Sequence, residues 1–237
     1  MEKDQLPELR ILYCDSELIA VDKPAGLLVH ASALDAHEKN NAVDLLRRQT
    51  GEPVSPVHRL DKGTSGVLLF ARGSQAARYW GAAFEQGVVR KRYLALVRGW
   101  PAAQGVIDHP LARDPELPSS GQLRLPATTR YTRLACFEWP FSADGRHPTS
   151  RYALVDAQPL QGRRHQIRRH FKHIAHPLVG DATHGKGAHN RAVAAWLGVG
   201  RLWLHAAELE LPKAQGPLVI RAECGAEWQP MLGSSPR

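Results

Sequence analysis

The stretch His58-Arg59-Leu60-Asp61-Lys62-Gly63-Thr64-Ser65-Gly66 sets one carboxylate among three basic side chains, just ahead of the apolar run Val67-Leu68-Leu69-Phe70-Ala71. Two chemistries fit an aspartate so placed. It can be a turn residue held in an ion pair, or a nucleophile that cations position. Two other stretches offer groups that could serve the second chemistry: Tyr93 in KRYLALVRG and the arginines of GRRHQIRRH. An aspartate ionises unaided with a pKa of about 3.9. Enclosure in a pocket raises that by up to about 3–5 units, and a neighbouring arginine lowers it by about 1–3. A buried reactive aspartate therefore wants an arginine partner, and the arginine-rich segment can provide one. On spacing alone the structural ion pair is favoured, because structural pairs outnumber catalytic ones.

Other chemistries fit less well. A glycosidase needs two carboxylates flanking a sugar, and no second acid lies close to Asp61 in sequence. Gly-Thr-Ser-Gly lacks the spacing of a phosphate-binding loop, and Ser65 does not stand in a G-x-S-x-G elbow. Of twelve histidines, His165, His170, His173 and His176 cluster, yet no H-E-x-x-H occurs and the first acid after them is Asp181. Zinc and iron sites need three or four convergent ligands, so no metal is expected, and the histidines are read as packing or partner-facing.

The elements that must hold these groups follow from pattern. Leu9–Cys14 and Leu18–Lys23 read as strands joined by an Asp15-Ser16 turn. Lys23-Pro24-Ala25-Gly26 is a turn signal, and Leu27–Val29 a further strand. Asn41 can cap a helix that Gly51 closes, and Ser74 a second that ends near Gly87. Val67–Ala71, Val89–Val97, Thr129–Trp139, Ser150–Ala157, Leu202–Leu211 and Leu218–Ala222 read as strands. Ile167, Phe171 and Ile174 recur at helical spacing, so Arg164–Ile174 is an amphipathic helix with basic outer faces. The Pro/Gly/Ser-rich stretch from Pro115 to Pro126 resembles a surface loop. Many strands with few helices and no βαβ rhythm predict an α+β fold with a mixed, mostly antiparallel sheet.

Composition sets the setting. The 237 residues are 43% hydrophobic and carry a net charge of +8, with a pI near 9.7. This balance favours an anionic partner, nucleic acid first. Between Ala157 and Gly180 lie Arg163, Arg164, Arg168, Arg169 and Lys172 and no acid, which makes a patch rather than a dispersed excess. No signal peptide or membrane span is evident. Three scattered cysteines, Cys14, Cys136 and Cys224, fit reduced thiols in a cytoplasm.

HRLDKGTSGVLLFA, VDKPAGLLVH, KRYLALVRG, GRRHQIRRHF and HPLVGD, in this order, resemble the motifs of the RluA-type pseudouridine synthases over residues 10–225. The resemblance reverses the weighting from spacing. It implies the pseudouridine synthase fold, with a long mixed sheet, flanking helices and a central active cleft. It implies one catalytic domain over 1–237, and the 22 residues before Lys23 leave no room for the S4-like RNA-binding module of some relatives. By position, Asp61 matches the catalytic aspartate, Tyr93 the tyrosine that stacks on the uracil, and Arg168 the arginine that pairs with the aspartate. Ile167 matches the apolar residue beside the base, and Arg59 the arginine that fills the gap left by a flipped nucleotide. His58 and Arg164, in the same motifs, are expected at the substrate. An isomerisation requires no cofactor.

A narrower resemblance, in SALDAHEKNNAVDLLRRQTGEPVSPVHRLD, HPTSRYALVDAQP and GDATHGKGAHNR, points to a branch that modifies uridine 65 of tRNA, at the base of the acceptor stem. That branch tends to read Arg-Pro after the aspartate, where this chain has Lys62-Gly63. RNA is thus the expected partner, tRNA first, with no DNA and no membrane. A large-subunit rRNA uridine is the alternative substrate, and a non-catalytic RNA-binding protein on the same fold is the alternative of another class.

Overall fold

Residues 8–31, 40–118 and 120–233 are described by the computed structural model. They group into two compact units, one of the chain up to Val89 with Glu208–Ala222, the other of Arg90–Ala207 with the chain from Glu223.

In the first unit, β1 (Arg10–Cys14) pairs antiparallel with β2 (Leu18–Lys23), and β2 with β4 (Ser65–Arg72). The short β3 (Val54–Pro56) pairs with the far end of β4. Helix α1 (Ala42–Thr50) begins where Asn41 accepts the Asp44 N–H and ends where Gly51 turns left-handed, with its N–H on the Arg47 carbonyl. These are the two ends that asparagine and glycine favour. Helix α2 (Ser74–Glu85) starts one residue after its cap, Gly73, without a side-chain cap bond, so Ser74 is its first residue rather than its cap. It buries Ala76, Trp80 and Ala83, spaced i, i+4, i+7, against Leu18, Val67 and Leu69. β4 is buried along nearly its whole length, which explains its unbroken apolar run.

The expected strand Leu27–Val29 is not one. Leu28 makes a single parallel bridge to Asn41, and the carbonyls of Leu28 and Val29 accept the Ala42 and Val43 N–H groups. They satisfy two of the donors that a helix start leaves open, so they are not available to a ladder.

In the second unit, β5 (Arg90–Arg98) pairs with β10 (Ser150–Pro159), β10 with β9 (Thr128–Trp139), and β9 with β6 (Gln104–Asp108), all antiparallel. β8 (Arg124–Leu125), within the stretch expected as a loop, pairs with β7 (Leu111–Ala112) just ahead of it. Helix α3 (Gln166–His173) starts two residues later than the sequence predicts, and α4 (Gly187–Leu197) was not foreseen. The core gathers Leu94, Leu96, Tyr152, Leu154, Trp203 and Trp228. Strand β11 (Leu204–Leu211) gives its first half to this unit and its second to the other, where it pairs antiparallel with β12 (Leu218–Arg221). The final turns, Ala226–Trp228 and α5 (Gln229–Leu232), bury Trp228 and Met231. The architecture is α+β, a large mixed sheet with flanking helices.

Candidate active site

Asp61 opens a turn in the first unit, its carbonyl accepting the Thr64 N–H at 3.0 Å, and the chain enters β4 at Ser65. The side chain is half-buried. The turn is fixed from behind by Lys23, the last residue of β2, which is completely buried. Its Nζ donates to the carbonyls of Pro24 (2.9 Å), Leu27 (2.7 Å) and Lys62 (3.1 Å), while the Gly26 N–H donates to the same Lys62 carbonyl at 2.8 Å. A buried ammonium is tolerated only when its donors are used, and here they tie the Lys23–Leu27 turn to the residue after Asp61. Opposite Lys23 in the ladder stands Gly66 at φ +106, a conformation that only glycine adopts freely.

Arg59 is exposed. His58, expected at the substrate, also serves the fold. Its Nε2 accepts the Leu69 N–H at 3.0 Å, and its ring stacks on Phe84 with centroids 4.5 Å apart. Accepting there assigns the proton, in the neutral ring, to Nδ1.

The second unit carries the other candidates. Tyr93 is buried on β5, opposite Ala157 of β10. Lys91, two residues earlier and so on the same face of the strand, is also buried, and burial lowers its pKa to about 8. Ile167 and Arg168 lie buried in the first turn of α3. That helix is pinned to β9 by two polar side chains. The Gln166 amide donates to the Thr128 carbonyl and the Thr129 hydroxyl. His170 shares its two ring nitrogens between the Thr129 hydroxyl (2.8 Å) and the His109 carbonyl (3.0 Å). Burial lowers the His170 pKa to about 4, so the ring is neutral at pH 7. It donates from Nε2 to the carbonyl and accepts at Nδ1.

Asp181 holds Arg168. Nε and one terminal nitrogen of the guanidinium meet the two carboxylate oxygens at 2.7 and 2.8 Å, with both side chains nearly inaccessible. Two parallel charge-assisted bonds fix the plane of the guanidinium as well as its place. Asp181 is itself over-determined. Its Oδ1 accepts the Thr183 and His184 N–H groups at 3.0 and 2.9 Å. Burial pushes its pKa up, but the Arg168 hydrogen bonds and charge, with the His184 N–H, hold it below the usual carboxylate value. Asn190 on α4 clamps the adjoining peptide, accepting from the Gly180 N–H and donating to the Asp181 carbonyl. Gly180 is obligatory there. A Cβ would lie 1.6 Å from the Arg201 carbonyl oxygen, and φ is +77. HPLVGD is thus the socket of the α3 arginine, a role that separation in sequence concealed.

Arg164, also expected at the substrate, is ion-paired to Glu116 and, at 3.4 Å, to Asp114, which ties the 114–116 segment to the start of α3. His165 adopts the left-handed conformation (φ 54), rare for a residue with a side chain, and its Nδ1 lies 3.1 Å from Nε2 of His184. His173 stacks on His109. The clustered histidines therefore go to different partners, and among the described residues no three His, Cys, Asp or Glu side chains gather to hold a metal. No described helix is long and apolar enough to cross a membrane.

The structure thus holds Asp61 in a turn at the head of β4, Tyr93 buried on β5 and Arg168 in a socket formed by Asp181. Residues 17–173 match the RNA pseudouridylate synthase family, and the chain belongs to it. It is an isomerase that makes pseudouridine. The tRNA pseudouridine synthase C of Vibrio cholerae is 45% identical over 231 residues, with 94% of each chain covered. That of Haemophilus ducreyi is 46% identical over 228 residues, with 94% of this chain and 93% of its own covered. Among solved structures, human RNA pseudouridylate synthase domain containing 4 is similar with a TM-score of 0.72 at 25% identity, covering 96% of this chain and 95% of its own.

Proposed function

We propose that the substrate is tRNA, that the target is uridine 65, and that Asp61 is the attacking carboxylate. The observation that carries the substrate is the likeness, along nearly the full length of both chains, to enzymes named for tRNA. The family match runs from residue 17 to residue 173, through both compact units, which supports one catalytic domain. Asp61 attacks the target nucleotide, the N1–C1′ bond breaks, and the uracil turns and rejoins through C5. N1 gains a proton and C5 loses one, so atoms and electrons balance without a redox partner. Attack at C1′, attack at C6 and passage through a glycal all use the same carboxylate.

Tyr93 stacks on the uracil, Ile167 packs beside it, and Arg59 fills the place of the extruded base. Flipping costs a few kcal/mol for a paired base, and an exposed guanidinium can offset part of it by taking up the emptied stack. Arg168, held in plane by Asp181, presents its charge to the reacting nucleotide. His58 and Arg164 contact the RNA from segments they also hold in place. The compartment is the cytoplasm, where tRNA and reduced thiols coincide. Pseudouridine mapping of tRNA and rRNA from cells lacking the protein tests the substrate. Loss from tRNA position 65 alone is expected. Loss confined to rRNA would overturn the substrate and leave the reaction class standing.

A further inference from the structure

The second unit contains a cavity of about 480 Å³ between the β7–β8 ribbon and α3. Arg124 of β8 and Arg169 and Lys172 of α3 line it, together with His109, His173 and His184. Among the described residues no carboxylate lines it. The acids near it in sequence have other partners: Asp114 and Glu116 pair with Arg164, Asp181 with Arg168, and Asp108 accepts the Thr128 hydroxyl. Arg169 is half-buried, whereas Arg124 and Lys172 are exposed. Arg169 donates to the Ala112 carbonyl at 2.8 Å, which fixes it against the ribbon, and the His109 and His173 rings stack 3.7 Å apart at 15°. Like charges gathered in one concavity repel and are stabilised by an anion. The crowding registers on the groups themselves. Burial first, and then the charge of Arg124, lower the Arg169 pKa. Burial, His173, Arg124 and Arg169 together lower that of His109.

We infer that this cavity receives a backbone phosphate of the RNA substrate, at a nucleotide other than the one that reacts, gripped by Arg124, Arg169 and Lys172. The site then sets how the RNA lies on the enzyme, because phosphate contacts fix register without reading sequence. The inference rests on the reading of tRNA as substrate.

The test uses the full chain with Arg124→Gln, Lys172→Gln and the pair, none of which touches the residues assigned to catalysis. The affinity for a tRNA transcript is measured across salt concentrations, and phosphate-ethylation interference is mapped along the same RNA. The paired variant should weaken binding several-fold at low salt and reduce the log–log salt slope by about 0.7–0.9, the value of one phosphate contact. Its turnover at saturating RNA should equal that of the wild type. One ethylated linkage away from the target uridine should impair the wild type and leave the paired variant indifferent. Identical interference maps would overturn the inference. So would stabilisation of the wild type by inorganic phosphate with RNA affinity unchanged in the variants, which would assign the cavity to a free anion. A protein that neither binds nor modifies tRNA would instead overturn the substrate reading.

Discussion

The ammonium of Lys23 lies 3.1 Å from the main-chain carbonyl oxygen of Lys62, one residue beyond Asp61. The contact joins the end of β2 to the turn that presents the carboxylate, and Lys23 itself is completely buried. Lys23→Met keeps the length of the side chain and removes the donors. It takes the donor from the Pro24 and Leu27 carbonyls, at about 1–3 kcal/mol for each that stays buried and unpaired, while the Lys62 carbonyl keeps the Gly26 N–H. Urea unfolding should show that loss. Under conditions where the variant is folded, kcat should fall while tRNA affinity is kept, because the turn is loosened and not the RNA surface. A folded Lys23→Met with wild-type kcat would show that the clamp serves stability alone.

Arg168→Lys should be nearly as damaging to kcat as Arg168→Ala. A guanidinium meets the Asp181 carboxylate through two parallel bonds, whereas an ammonium is a point charge. Asp181→Asn should act in the same direction by releasing the plane of Arg168, with single-turnover rates as the readout. Wild-type rates in Arg168→Lys would show that charge without orientation suffices.

Arg59→Ala should impair a folded tRNA whose target uridine is paired far more than a variant RNA in which that uridine is mismatched, because only the paired base must be extruded at full cost. If Arg59 merely holds phosphate, the loss is equal on both RNAs and shrinks as salt rises. Single-turnover rates on the two RNAs at two salt concentrations separate these outcomes.

Acid should loosen the seat of α3. Burial places the pKa of His170 and of His184 at about 4, below the unfolded value of about 6.5. The folded state therefore resists protonation. Its stability is complete above pH 6.5 and declines as pH falls from there towards 4. His170 accounts for up to roughly 3 kcal/mol of that decline. Urea midpoints at pH 7.5, 5.5 and 4.5 should fall in the wild type and fall less in His170→Gln. Parallel slopes would remove His170 from the account.

Local chemistry made much of this legible in the sequence, and non-local chemistry hid the rest. Asn41 and Gly51 bound α1 because capping is settled within a few residues. The alternation in Val89–Val97 located β5 and with it Tyr93. Leu27–Val29 misled because its carbonyls serve a helix start fourteen residues later. Helix α4 escaped notice because it buries only His189 and Val193 and so shows little periodicity. The roles of Lys23 and Asp181 could not be derived from spacing. A lysine beside a proline reads as an exposed turn until three carbonyls converge on it. An aspartate thirteen residues from Arg168 reads as a loop acid until Gly180 and Asn190 turn it inward. The motifs VDKPAGLLVH and HPLVGD contained both residues without stating their tasks.

The central claim is that Asp61 performs the attack. The most direct measurement is release of tritium from tRNA labelled at C5 of uridine, with Asp61→Asn compared to wild type in a single turnover. Every route to pseudouridine expels the C5 hydrogen, so release counts product directly. Asp61→Asn should release none above background while still binding tRNA, since affinity resides in the basic surface and a neutral amide cannot supply the attacking carboxylate. Substantial release by Asp61→Asn would contradict the account.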